Sequence, residues 1–301
     1  MAVIPLTVTG PENGGNYEYQ WSSKGLQAHL LSDVGKKRAH NEDCCTLCAP
    51  DDDHVLRERG LLLAVADGMG GVKGGEFASH LALQTLGETY YSLPNSTIPG
   101  RLQAAIDQAN RRIFEEAEHN PEYHGMGTTV SAVVILGDYA YIAQVGDSRV
   151  YVARGNAGVW QITDDHSLVA EQVRNGYISE DEARKHALKN LITRAVGTKE
   201  SIKVDLFSFH VKQGDTLLIC SDGLSNLVDD REIGRCLAGE SLQGAARILV
   251  GRALEGGGSD NITAVLLRIT KPPEKKELEA GAVRVTFPKM GLFGRLKKFI
   301  V

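Results

Sequence analysis

Nowhere in this chain is there a run of about 18 apolar residues, so a helical membrane span is excluded. Residues 1–25 lack a basic stretch followed by an apolar core, so no secretory signal is expected. Cysteine is sparse and odd in number, five at positions 44, 45, 48, 220 and 236, with no disulfide-framework spacing. A reduced, cytoplasmic setting follows as the expectation. Cys44-Cys45-x-x-Cys48 has two readings, three zinc ligands or small buried thiols, and no second Cys/His pair follows at finger spacing. Basic charge is short too: 33 Lys and Arg face 38 Asp and Glu, and five of the basic residues crowd into positions 284–301, which hold no acid. The body is therefore acidic. That argues against nucleic acid as a partner, and it suits a site that collects cations. No internal repeat is visible.

What is present is glycine, 33 residues of it against 9 prolines, which signals tight turns and close backbone approaches. With 42% hydrophobic residues over 301, the chain can bury a sizeable core in one large domain or two small ones. Positions 61–66 (LLLAVA) form a continuous apolar run ending at Asp67-Gly68, as a strand buried on both faces does. Two amphipathic helices are predicted next, over 77–91 and 102–117. Positions 129–136, 139–145 and 150–154 are β-branched and aromatic runs with joints too short for a crossover, hence antiparallel strands. Ser179 with Glu182 makes a capping box ahead of a polar helix over 180–188, which reads as a flap. Strands over 204–209 and 216–221, helices over 231–237 and 242–254, and a strand over 262–269 complete the series. The class is α+β, antiparallel sheets covered by helices. The first 25 residues read as an extension or a loosely attached strand with real structure expected from near Leu26, 26–270 as the domain, 271–283 as a charged linker and 284–301 as a basic tail.

Four aspartates recur beside the ends of apolar strands: Asp67, Asp147, Asp222 and Asp260, each next to Gly or Asn. Singly each is readable as a turn residue. If the strand ends converge, the four repel one another unless a cation neutralises them, and oxygen ligands select magnesium or manganese over zinc. Arg38 stands among Asp33, Glu42 and Asp43; it is either an exposed salt-bridged loop residue or a guanidinium fork for phosphate.

The motifs Asp33-x-Gly35-x-x-Arg38-x-x-Asn41-Glu42-Asp43, Asp67-Gly68-Met69-Gly70-Gly71, Gly127-Thr128-Thr129, Gly146-Asp147-Ser148-Arg149, Ser221-Asp222-Gly223 and Ser259-Asp260-Asn261 resemble, in order and spacing, the metal-dependent serine/threonine phosphatases of the PP2C (PPM) family, bacterial branch. The resemblance covers about 26–270. It implies a β-sandwich flanked by helix pairs (αββα), with two bridging Mn2+ or Mg2+ ions at one end and a third, weaker ion. By the same resemblance Asp67, Asp222 and Asp260 are metal ligands and Gly68 is one through its carbonyl. Asp43 and Glu42 match the acidic pair that holds a metal or its waters, Asp147 the ligand of the third ion, Arg38 the phosphate-binding arginine, and 168–191 the flap. The implied reaction is hydrolysis of phosphoserine and phosphothreonine by a water bridging two ions about 3.5–4 Å apart, opposing Ser/Thr kinases. Eukaryotic members carry histidine after Asp-Gly where this chain has Met69. The leaving-group proton is therefore expected from a metal-bound water or from His166, whose alternative is a structural hydrogen bond at the flap base; His40 reads as a loop residue.

Other chemistries are disfavoured. No cysteine stands at thiol-phosphatase spacing from an arginine, and neither a Walker loop nor His-Glu-x-x-His is present. Asp51-Asp-Asp53-His-Val55 fits the aspartyl-phosphate pattern but lacks a preceding apolar strand and reads as an acidic loop. A catalytically weak scaffold of the same fold and a hydrolase of other phosphoesters are the alternatives. In the tail, Leu292, Phe293, Leu296, Phe299 and Ile300 would share one face of a basic amphipathic helix. Such a helix docks on a partner or a membrane surface, or folds back on the acidic body.

Overall fold

The computed structural model describes residues 6–300 apart from Lys24, Asn95, Glu240, 272–273 and 288–295. The chain opens with four strands, β1 (Leu6–Gly10), β2 (Tyr17–Ser23), β3 (Leu26–Asp33) and β4 (Asp43–Ala49). Helix α1 (Asp53–Arg59) leads into β5 (Leu61–Met69), and α2 (Val72–Ser92) and α3 (Ile98–His119) pack on each other after it. Next come β6 (Gly127–Thr128), β7 (Val130–Leu136), β8 (Tyr139–Val145), β9 (Arg149–Arg154) and β10 (Val159–Gln161). The flap carries α4 (Leu168–Arg174) and α5 (Glu180–Lys185). Strands β11 (Asp205–His210) and β12 (Asp215–Cys220), helices α6 (Asp222–Ser225), α7 (Asp230–Leu237) and α8 (Leu242–Glu255), and strands β13 (Ile262–Ile269), β14 (Val283–Thr286) and β15 (Lys297–Ile300) finish the fold.

One sheet runs β1-β4-β5-β7-β8-β11-β14-β15 and the other β10-β9-β12-β13-β3-β2. Alternation along the strands builds three cores. In β5, Leu62, Ala64 and Ala66 face α2 and α3, while Leu61, Leu63 and Val65 face the second sheet. Both faces are covered, which is why the run reads as continuously apolar. On the far side Leu218, Cys220, Ala264 and Leu266 pack under α7 and α8. The expected helix–sheet–sheet–helix architecture is the one found, and the sheets are antiparallel except where β14 lies parallel to β11. Ser179 caps α5 with the full capping box, although the helix ends at Lys185 and does not reach 188.

Two expectations are corrected. Structure does not start at Leu26: β1 pairs with β4, and β2 with β3. Both lie at sheet edges, where one face meets solvent, so their polar composition conceals a period of two in which Tyr17, Tyr19 and Trp21 pack on the inter-sheet core. The tail is not helical where described. β15 adds to the open edge of β14, Leu296 packs on the inter-sheet core, and Lys298 pairs with Asp164 and lies over the Phe207 ring. An unpaired strand edge offers ready backbone partners. Leu292 and Phe293 of the expected helical face lie outside the described residues. Of the two readings of Cys44-Cys45-x-x-Cys48, the structure meets the buried thiols and not the zinc site, since Cys44 and Cys48 face the helices while Cys45 faces the second sheet. All five thiols are free and buried. Asp52, for its part, caps α1.

Candidate metal centre

Strand register brings the acidic residues to one end of the sandwich. Asp43 begins β4 and Asp67 lies near the end of β5, and the two are direct cross-strand partners. The end of β12, at Cys220, pairs with Arg149 of β9 and with Ala264 of β13, so Asp147 and Asp260, from loops, and Asp222, which begins α6, lie at that same end. None of this convergence depends on closeness in sequence.

The acidic residues are held by different partners. Asp43 is buried; its Oδ2 accepts from Ser221 Oγ and Thr263 Oγ1, both at 2.7 Å, while its Oδ1 is buried with no partner. The Asp67 amide donates to Thr129 Oγ1 at 2.9 Å, and its carbonyl accepts from the Thr129 amide and Thr128 Oγ1, both also at 2.9 Å. Asp222 hydrogen-bonds the Asp67 side chain and accepts from Asn226 Nδ2 at 3.0 Å. Asp260 accepts from Arg38 Nη2 at 2.8 Å. Asp147, in the β8–β9 turn, keeps a buried and unpartnered Oδ1. Gly68 has no room for a side chain, since a Cβ would overlap the Gly75 and Glu42 carbonyl oxygens. Gly223 is pressed against the Asn261 carbonyl in the same way.

The crowding shows in the titration of these groups. Burial, aided by Asp222 and Asp260 and opposed by the two hydroxyl donors, pushes Asp43 up to about 7. Burial and Asp260 push Asp222 up to about 6. Asp67 stands well above the usual range through burial and then Asp43 and Asp222, and Asp147 does so through burial and then Asp222 and Asp165. Glu42 is raised by burial against the pull of Arg38. Two carboxyls near enough to share a proton, beside two buried oxygens without partners, form a set that a divalent cation satisfies. The donors are all oxygen, the chemistry of magnesium or manganese. Among the described residues no three His, Cys, Asp or Glu side chains close on one point.

Arg38 is half-exposed, its other guanidinium nitrogen 4.0 Å from Glu42 Oε1. His40 is exposed in the same loop. His166 is wholly buried, and both ring nitrogens are engaged, Nδ1 with the Gly146 amide at 3.1 Å and Nε2 with Asp205 at 3.1 Å. No ring atom is left to meet a substrate. Several supporting residues were given no role by the sequence. Thr263 anchors Asp43. Asn261 accepts from the Glu42 amide and donates to the Val34 and His40 carbonyls, which ties the Arg38 loop to Asp260. Asp205 and Arg194 sit far from any motif, and only the fold brings them to His166.

Residues 34–248 match the family described as protein phosphatase 2C. The chain belongs to the protein phosphatase 2C family. A relative from Listeria welshimeri, "Serine/threonine phosphatase stp", is 37% identical over 247 residues, 80% of this chain and 95% of that protein. The solved structure of the S. agalactiae serine/threonine phosphatase superposes with a TM-score of 0.74 at 34% identity, covering 81% of this chain and 99% of the other. A third, the catalytic domain of the phosphatase PstP in complex with two manganese ions, gives 0.70 at 35% identity and covers 82% and 99%. This protein phosphatase 2C is a metal-dependent serine/threonine protein phosphatase, and phosphorylated proteins are its substrates. Among its described residues no helix is long and apolar enough to cross a membrane.

Proposed function

We propose that this phosphatase binds two Mn2+ or Mg2+ ions through Asp67, Asp222, Asp260, Asp43 and the Gly68 carbonyl, with Glu42 holding water beside them and Asp147 serving a third, weaker ion. When bound, the ions supply Lewis acidity toward phosphate and an ionisable water at neutral pH. The observation that carries this reading is the Asp67–Asp222 contact beside the unpartnered Asp43 Oδ1.

The chain's own residues do the rest. Arg38 presents its guanidinium to the phosphate oxygens and neutralises charge spread over them, a fork that Asp260 and Glu42 hold in place. Thr263 and Ser221 fix Asp43 with one oxygen turned to the centre. Gly68 and Gly223 let main chain approach where a side chain would block it. His166, buried with both ring nitrogens engaged, offers no proton to the leaving alkoxide. The substrates are phosphoserine and phosphothreonine proteins that a Ser/Thr kinase modifies, and the five free thiols support a reducing, cytoplasmic setting. The described tail residues dock on the enzyme's own body, supported by the β14–β15 pairing and the Lys298–Asp164 pair.

The test is phosphate release from a phosphothreonine peptide, with manganese, with EDTA, and with an Asp222→Asn variant. Release that requires the ion and collapses in the variant is expected. Undiminished release by the variant would remove Asp222 from the site.

A further inference from the structure

Gly146 carries Asp147 into the centre, and a single residue grips both of its polar groups. The Gly146 amide donates to His166 Nδ1 at 3.1 Å, and its carbonyl accepts the His166 amide at 3.0 Å. Gln144 Nε2 reinforces that carbonyl at 3.0 Å and reaches the Ser148 carbonyl at 2.7 Å on the other side of Asp147. Gly146 has φ +101°, and a Cβ there would run into Thr129, so the turn has one conformation and no side chain of its own to hold it.

The imidazole is fixed in turn. Because Nδ1 accepts from a backbone amide, the ring proton lies on Nε2 and is donated to Asp205 Oδ2. Arg194 Nη1 holds the other Asp205 oxygen at 2.8 Å. Asp205 and Arg194 thus set the tautomer in which His166 can grip Gly146. This arrangement parallels the carboxylate–histidine pairs that orient ligands around metal sites, displaced by one step, since the histidine acts here on the backbone beside the carboxylate.

We propose that His166 is a positioning residue for Asp147: its Nδ1 lone pair, held by Asp205 and Arg194, aims the unpartnered Asp147 Oδ1 at the weaker cation. The proposal rests on the reading of Asp147 given above. It assigns His166 no contact with substrate and no proton to transfer.

The test is equilibrium Mn2+ binding to the full chain, followed by the electron paramagnetic resonance of the free ion, which needs no turnover. Asparagine places a carbonyl oxygen where Nδ1 sits, whereas glutamine reaches the Nε2 position and leaves the Gly146 amide unpaired. His166→Gln is expected to weaken the weakest class of Mn2+ sites by about 10-fold or more, with the tighter class unmoved. His166→Asn is expected to stay near wild type in both. Equal loss in the two variants would reduce His166 to a packing role and overturn the proposal, as would wild-type binding in both. A wild type that shows only the tight class would instead remove Asp147 as a ligand, and that outcome is distinguishable because it needs no variant. If His166→Gln does not fold, Asp205→Ala carries the test: it frees the tautomer, and unchanged weak-class affinity in it overturns the proposal.

Discussion

Asp222→Asn should make the metal-free enzyme more stable while abolishing its use of metal. In the folded chain burial and Asp260 push Asp222 from its ordinary value of 3.8 up to about 6. A carboxyl raised in the folded state contributes its full stability below 3.8 and loses it as pH rises through about 6. Two units correspond to about 3 kcal/mol, and access of solvent to the half-buried carboxyl brings the figure to about 2–3 kcal/mol. Asparagine keeps the shape and the Asn226 partner but has no charge to bury. Urea unfolding in EDTA should therefore show the variant about 2–3 kcal/mol more stable at pH 7.5, and the gain should shrink to under about 1 kcal/mol near pH 4. In manganese the order should reverse, because the wild type alone gains from binding. A variant no more stable than wild type in EDTA at pH 7.5, or a gain that does not depend on pH, would refute the electrostatic account of the centre.

Thr263→Val removes one of the two donors on Asp43 Oδ2, which raises that carboxyl further and should cost about 10–100-fold in Mn2+ affinity; titration of the ion checks it, and an unchanged isotherm counts against the anchor. Arg38→Ala should lower kcat/KM by about 100–1,000-fold, and Arg38→Lys should recover little, since an ammonium lacks the planar fork; a lysine variant as fast as wild type would contradict the assignment. Gly68→Ala must displace the Gly75 or Glu42 carbonyl and should destabilise by about 3 kcal/mol or more in urea unfolding. Lys298→Ala, by contrast, should shift stability by about 1 kcal/mol or less, because its pair with Asp164 is partly exposed. A larger loss would mean that β15 bears more of the sheet edge than its four residues suggest.

Much of the molecule is legible in the order of residues. Apolar runs such as LLLAVA, the short Gly-Asp joints and the capping box at Ser179 specify elements through local rules, and aspartates at strand ends mark the candidate ligands because charge there is costly unless paired. Local rules fail where the decisive partner is distant. β1 and β2 look like polar extension because an edge strand needs only one apolar face, and only pairing with β4 and β3 makes them strands. Leu296, Phe299 and Ile300 have helical spacing, yet Lys297–Ile300 takes the conformation that satisfies the edge of β14. His166 lies between the motifs in sequence, and its role follows from Gly146 on one side and Asp205 on the other, contacts that span up to 39 residues of chain. The sequence by itself thus determined which side chains have the chemistry to hold a cation and a phosphate. The tertiary structure alone decided which of them meet, how close their charges stand, and which oxygens are left without a proton donor, because register and burial are properties of the packed sheets and not of any segment.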